Sequence, residues 1–256
     1  MSGRIGILVT ARLGSTRLRR KHLLGVGDTT LLGVLLARIR HAFADELAAG
    51  KARIVIATTP EPENADFDAF VTADTEVFAG SRENIPLRHL ECARALALAG
   101  IVSVDGDDIL CAAEALRAVY DGLRAGAEGV KTEGLPFGMN AWGYATPTLA
   151  AAVEGHARDQ LETGWGRIFD FSRFETRTFD IAGNSEALRF TLDYAEDYDL
   201  FRAVIEGMGP QVTAAPCEAI IAHVLDNDLT RLNRARVDEY WANFRKERDG
   251  ESAPRD

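Results

Sequence analysis

Residues 5–21 read IGILVTARLGSTRLRRK, and the reading of this stretch decides the fold. Residues 5–11 are a short apolar, β-branched run, the pattern of a strand buried on both faces. The run ends in a basic loop, Arg12 to Lys21. Gly14 allows positive φ and close approach of backbone to a ligand. Ser15 and Thr16 offer hydroxyls, and successive loop amides can form an anion-binding nest. Arg12, Arg17 and Lys21 supply cationic donors for phosphate oxygens. Arg19 and Arg20 add charge that solvent alone can satisfy. The loop is not a Walker P-loop, because no GxxxxGK[ST] occurs. Gly25-x-Gly27 is no dinucleotide fingerprint, since it lacks the third glycine and does not directly follow a strand. By composition the loop is equally a solvated basic turn; its place straight after a buried strand favours anion binding.

The same alternation continues outward. Leu32, Leu35, Leu36, Ile39 and Phe43 fall at helical spacing, with Thr29 or Thr30 as cap. Further strands are expected at 53–58, 76–79 and 101–104, with helices at 64–72, 86–99 and 112–124 between and after them. Strands alternating with helices across short loops specify an α/β fold with a mostly parallel sheet covered on both faces. Ligands in such sheets bind beyond the carboxyl ends of the strands. The pattern weakens over 134–183, which is rich in Gly, Phe and Trp, and this stretch reads as a small central insertion shaping an acceptor pocket or a dimer contact. A strand returns at 187–192, then helices at 196–208, 217–226 and 234–248. Residues 1–248 read as one domain and 249–256 as a disordered polar tail.

Three further motifs carry chemistry. Asp105-Gly106-Asp107-Asp108 follows the fourth strand. Carboxylates there suit Mg²⁺, which takes a few carboxylates together with phosphate oxygens and water. An Asx turn capping the next helix would need only one aspartate, and three adjacent carboxylates repel one another unless a cation is present. Asp193, in Thr191-Leu192-Asp193-Tyr194-Ala195-Glu196-Asp197-Tyr198, is placed to reach the same metal. Glu196 and Asp197 suit the first turn of a helix for dipole reasons alone. Phe78-Ala79-Gly80-Ser81-Arg82-Glu83-Asn84 either holds a base or phosphate or is an ordinary capped turn.

Composition narrows the classes. The chain has 256 residues, 46% hydrophobic and 27% charged, with a formal net charge of −10. That charge argues against sequence-independent nucleic-acid binding, which needs a basic footprint. No apolar run approaches the roughly 18–20 residues of a membrane span, and no signal-peptide pattern opens the chain, so the cytoplasm is the expected compartment. Cys92, Cys111 and Cys217 are scattered, giving neither a disulfide framework nor a zinc motif. The histidines show no HExxH, and no serine sits in GxSxG, so zinc hydrolysis and serine triads are unsupported. His22 and His89 read as surface or packing residues.

Together these motifs resemble the cytidylyltransferases that activate sugars and sugar acids, above all the spore-coat polysaccharide type, with CMP-sialate and 3-deoxy-manno-octulosonate cytidylyltransferases as relatives. The resemblance covers about residues 4–130 well and 187–205 moderately. The family loop reads roughly A-R-x-G-S-T-R-L-x-x-K, matched by Ala11, Arg12, Gly14, Ser15, Thr16, Arg17, Leu18 and Lys21. Gly80, Ser81 and Asn84 match its G-S-x-x-(N/D) segment, and Gly106 and Asp107 its G-D metal motif. Thr191, Asp193, Glu196, Asp197 and Tyr198 match its T-x-D-x-x-E-D-Y segment.

The resemblance implies a three-layer, Rossmann-like nucleotidyltransferase fold. It implies that Arg12 and Lys21 act in catalysis and hold the phosphates of CTP. Ala11, Gly14, Ser15, Thr16, Arg17, Ser81, Asn84 and Gly106 would complete the nucleotide site, with Ser81 near the cytosine and Mg²⁺ held by Asp107 and Asp193. CMP would pass from CTP to a sugar acid or related sugar for surface glycan synthesis, with release of pyrophosphate. Another nucleoside triphosphate, a phosphosugar or phosphonate acceptor, and a non-catalytic nucleotide-binding protein are the alternatives. No nucleic acid or membrane partner is expected, and relatives often dimerise through the central stretch. The chain departs from the family at Asp105 and Asp108, often uncharged there, at Arg19-Arg20, usually Pro-Gly, and over 136–144.

Overall fold

The computed structural model describes residues 3–156, 160–181, 183, 188–237 and 239. The opening strand, β1 (Arg4–Thr10), lies inside the sheet with Ile5, Ile7, Leu8 and Val9 fully buried. The chain then runs through β2 (Gly25–Val26), β3 (Thr29–Thr30), α1 (Leu31–Ala42), α2 (Ala44–Ala48), β4 (Ala52–Thr58), β5 (Thr75–Ala79), α3 (Ile85–Ala95), β6 (Leu98–Asp105) and α4 (Ala113–Ala125). It continues through β7 (Gly129–Glu133), β8 (Trp142–Ala145), α5 (Thr146–Glu154), β9 (Glu175–Thr178), α6 (Ala195–Met208) and α7 (Cys217–Asp226). Seven strands form one sheet in the order β5-β4-β1-β6-β8-β7-β9. Strands β5, β4, β1 and β6 are parallel, β8 is antiparallel to both neighbours, and β9 runs parallel to β7.

Alternation of side chains along each strand divides the core into two layers. Ile5, Ile7 and Val9 of β1, with Ile54 and Ile56 of β4, face the cluster built with α1, α4, α6 and α7. Leu8, Val55 and Ala57 point the other way, toward α3, α5 and an aromatic segment. That segment explains the Phe- and Trp-rich stretch. Trp165 and Phe169 pack on Trp142 and Tyr144 of β8, with ring centroids 4.4 Å apart for Trp142–Trp165 and 4.7 Å for Tyr144–Phe169. Residues 134–183, expected as an insertion, therefore supply two strands of the main sheet and much of one core layer.

Several local expectations are corrected. Residues 64–72 are not an α-helix; Pro62–Phe70 winds in 3-10 turns. Only Asn64 and Phe67 of that stretch are buried, which leaves little apolar surface to support a regular helix. Helix α3 stops at Ala95, four residues early, because Ala97 turns into the left-handed region at φ 51° and starts β6. Residues 188–192, expected as part of a strand, form no ladder beyond one bridge between Arg189 and Phe137. They are held instead by the Phe190 amide donating to the Phe137 carbonyl and the Leu192 amide to that of Asp107. The helix expected at 234–248 begins as a 3-10 turn, Arg234–Arg236, and most of its remainder, like the tail from 249, lies outside the described residues. Thr30 rather than Thr29 caps α1, its hydroxyl accepting from the Gly33 amide at 3.1 Å. All three cysteines are buried and free.

Candidate active site

Parallel pairing sets Thr10, the last residue of β1, beside Asp105, the last of β6. The basic loop and the aspartate cluster therefore leave the sheet side by side, and the Gly106 amide donates to the Thr10 carbonyl at 2.8 Å. A Cβ on Gly106 would lie 2.8 Å from that carbonyl oxygen and 2.9 Å from both the Ala11 Cβ and the His22 ring, so only glycine fits. The loop is tied down from a third side. The Leu13 amide donates to Asn64 Oδ1 at 2.8 Å, while Asn64 Nδ2 donates to the Thr59 carbonyl at 3.0 Å. This gives the buried Asn64 its function in an otherwise irregular stretch. The loop closes in a 3-10 turn, Lys21–Leu23, that buries both Lys21 and His22.

A cleft of about 850 Å³ opens above this edge, within the range of small-molecule sites. One wall is the basic loop, with Ala11, Arg12, Gly14, Ser15, Thr16, Arg17 and Lys21 lining it. The floor carries Asp105, Asp107, Asp108 and Asp193. The opposite wall is the segment from Gln160 to Gly166. It is anchored by buried Leu161 and Trp165 and stitched to the start of α3, with the Leu161 amide donating to the Glu83 carbonyl at 2.6 Å and the Ile85 amide to the Leu161 carbonyl at 3.1 Å.

The expected cations and carboxylates meet here. Lys21 Nζ donates to Asp107 Oδ2 at 2.6 Å, to the Leu192 carbonyl at 2.8 Å and to Asp193 Oδ1 at 3.4 Å. Arg17 lies 3.3 Å from the same Asp193 oxygen. Arg12 reaches across the cleft to Glu162 at 2.6 Å. The expected residues of the third loop stand apart from this group. Asn84 caps α3, its side chain accepting from the Leu87 amide. Ser81 donates its amide to Glu91 and accepts Arg88 Nε on its carbonyl. Neither is among the residues lining the cleft, whereas Ile85 and Arg88 are.

A family model described as cytidylyltransferase matches residues 6–153, more than half of the chain. The chain belongs to the cytidylyltransferase family. An uncharacterised protein of Methanocaldococcus jannaschii is 26% identical over 215 residues, 77% of this chain and 81% of that protein. Among solved structures, a cytidylyltransferase from Leptospira borgpetersenii serovar Hardjo-bovis superposes with TM-score 0.75 at 22% identity, covering 90% of this chain and 98% of the other. A CMP:2-keto-3-deoxy-manno-octonic acid synthetase complexed with CTP superposes with TM-score 0.59 at 13% identity, covering 81% and 100%. The α/β, mostly parallel fold expected from the sequence is therefore that of these proteins.

In this cytidylyltransferase the electrostatics of the cleft floor are organised by a few buried partners. Burial alone would lower the Lys21 ammonium, but the negative charges of Asp107 and Asp193 outweigh it and hold Lys21 above the ordinary lysine value. Burial opposes ionisation of Asp107 too, yet Lys21 and His22 keep it well below the usual carboxylate range. Enclosure in the cleft, then repulsion from Asp107, push Asp105 up to about 6. Asp108 is pushed well up by burial and by both neighbouring aspartates.

Five residues near this chemistry, besides Asp197, were not read as functional from the sequence. His22, expected as surface or packing, is buried with Nε2 at 3.0 Å from Asp107 Oδ1. His89 is a packing residue, fully buried, sharing hydrogen bonds with Thr10 Oγ1 at 2.7 Å and the Tyr144 hydroxyl at 2.6 Å. Buried Arg189 donates to Asp193 Oδ2 at 2.7 Å and to Asp197. Asp197 in turn accepts from the amides of Asp193 and Tyr194 at 2.9 Å each and from Asn233 Nδ2 at 3.0 Å. It is therefore a support for Asp193 as well as a first-turn carboxylate. Glu162 and Arg88 complete the set. Only Arg88 left a trace, as a charge on the buried face of α3.

Proposed function

We propose that this cytidylyltransferase moves CMP from CTP to a sugar acid or related sugar in the cytoplasm, for surface glycan synthesis, with release of pyrophosphate. The observation that carries the reading is the convergence of Arg12, Arg17 and Lys21 with Asp107 and Asp193 at one edge of the sheet. Cations from the loop suit the three phosphates, and the carboxylates suit a hard divalent ion. The neighbour seen with CTP shares the fold and supports the choice of nucleotide.

Among the described residues no group of three or more His, Cys, Asp and Glu is close enough to cage a metal. Asp107 and Asp193 nevertheless share one buried cation, the Lys21 ammonium, and so form a pocket for positive charge. Two carboxylates completed by phosphate oxygens and water fit Mg²⁺ and its reluctance to dehydrate. Asp107 and Asp193 would hold the ion, with Arg189 and Asp197 fixing the orientation of Asp193. When bound, the ion neutralises phosphate charge.

The acceptor oxygen attacks the α-phosphorus in line and forms the new O–P bond. The bond from that phosphorus to the bridging oxygen of the β-phosphate breaks, and pyrophosphate leaves with the electron pair. A hydroxyl acceptor gives up its proton to water or to the departing pyrophosphate. Arg12, Arg17 and the loop amides bind and orient the phosphates, so positioning and charge supply most of the rate. The test is pyrophosphate release from CTP, UTP, GTP and dTTP with sugar acids, phosphosugars and phosphonates. Asp107→Asn should abolish turnover while leaving the thermal unfolding profile that of a folded protein. Undiminished turnover in that variant sinks the metal assignment.

A further inference from the structure

An ammonium group has three N–H donors, and Lys21 spends all three at the cleft floor. They go to Asp107 Oδ2 at 2.6 Å, the Leu192 carbonyl at 2.8 Å and Asp193 Oδ1 at 3.4 Å. Lys21 is also buried, 7% exposed. In this state it presents no N–H to a nucleotide phosphate. It lies in the gap between the two carboxylates proposed to hold the divalent ion, and two cations cannot share that gap. The side chain can leave it, because the backbone is fixed in the Lys21–Leu23 turn while a four-carbon stem carries the charge.

We propose that Lys21 is the resident counter-cation of the Asp107–Asp193 pair, that an entering divalent ion evicts its ammonium, and that the evicted ammonium is the group that reaches the nucleotide phosphates. The proposal rests on the metal-dependent reading above. One gap thus holds lysine or metal, and the exchange makes metal and nucleotide help each other. Metal frees the lysine for phosphate, and phosphate offers the freed lysine a new partner. Without nucleotide, Lys21 works against the metal. By linkage the coupling is reciprocal. Buried Arg189, on the other oxygen of Asp193, keeps that carboxylate oriented.

The experiment is Mn²⁺ binding to the full chain, read from the loss of the free-ion paramagnetic resonance signal, without CTP and with CTP after subtracting the Mn²⁺ that CTP alone takes up. Lys21→Met, similar in length and uncharged, should bind Mn²⁺ alone at least ten-fold more tightly than the wild type. CTP should then enhance Mn²⁺ affinity less in the variant than in the wild type. Equal or weaker Mn²⁺ binding by folded Lys21→Met overturns the proposal while leaving the metal site standing. Absence of Mn²⁺ binding in every form, with CTP present, overturns the metal reading itself and the proposal with it.

A measurement on the wild type covers the case in which Lys21→Met fails to fold. The sequence has four lysines, so their ammonium ¹H–¹⁵N correlations are few. The buried, three-fold bonded Lys21 should give a slowly exchanging signal in metal-free protein. Saturating Mg²⁺ with CTP should shift or abolish that signal. A Lys21 signal unchanged under those conditions overturns the eviction.

Discussion

Arg189→Met tests whether the buried charge network holds the fold and the site together. The Arg189 side chain is 1% exposed and spans Asp193 and Asp197, which are 6% and 0% exposed. Breaking a buried pair by deleting one partner costs about 3–5 kcal/mol, because the other charge stays buried and uncompensated. Here the orphans keep other support. Asp197 retains three N–H donors, from Asp193, Tyr194 and Asn233. Asp193 retains Lys21 and Arg17 at 3.4 and 3.3 Å. The loss should therefore fall at the low end, about 3 kcal/mol. For a protein of this size that corresponds to a fall in Tm of about 6–12 °C. Urea unfolding should show a lower midpoint with the slope unchanged. Arg189→Met combined with Asp197→Asn should lose less than the two single costs added together, because the second change removes the orphaned charge. CTP turnover should fall as well, since Asp193 loses the group that orients it. A cost below about 1 kcal/mol, the range of an exposed pair, with turnover intact, would refute the reasoning.

Three other perturbations read separate features. Glu162→Gln frees Arg12, whose half-exposed pair is worth at most about 1 kcal/mol. CTP should bind up to about five-fold more tightly by calorimetry at low salt, with the gain vanishing at high salt, and weaker binding would contradict it. Arg20 sits at φ 53°, where the resembling family usually has glycine, and its Asp66 partner is solvent-exposed. Arg20→Gly should stabilise by about 1 kcal/mol, and a lower urea midpoint would show that the ion pair matters more than the backbone. His89 is pushed down to about 3 by burial and by Arg88, so it stays neutral when folded. Its contribution is present above the unfolded value near 6.5 and is lost as pH falls toward 3, by about 1.4 kcal/mol per pH unit. Asp105, raised to about 6, acts in the opposite sense, so the quantity to follow is wild type minus His89→Gln. That difference should shrink by about 2 kcal/mol between pH 6.5 and 5, and parallel stability curves would contradict the assignment.

The sequence by itself determined the sheet core and which loop and carboxylates leave it at the same edge. A both-face-buried strand such as β1 is written in a short apolar run rich in β-branched residues, and helix α1 in its 3.6-residue spacing. These are local patterns, set by the alternation and period of the chain. The Arg12–Lys21 loop and Asp107 were legible for the same reason. A loop at a strand's end and carboxylates at the next are adjacent once the strands are parallel, and Thr10 does pair with Asp105.

Only the tertiary structure decided the rest. It turned residues 134–183 from an apparent insertion into two sheet strands and much of one core layer, because aromatic residues without periodicity are ordered only by the partners they meet. It converted His22 from a packing residue into a neighbour of Asp107. It brought Glu162 to Arg12, 150 residues away along the chain, and placed Arg189 beneath Asp193. Above all, it set the Lys21 ammonium between two carboxylates, 86 and 172 residues distant. No sequence period records such a contact. Charge pairing across a fold depends on distance and on exclusion of water, and both exist only after the layers have packed.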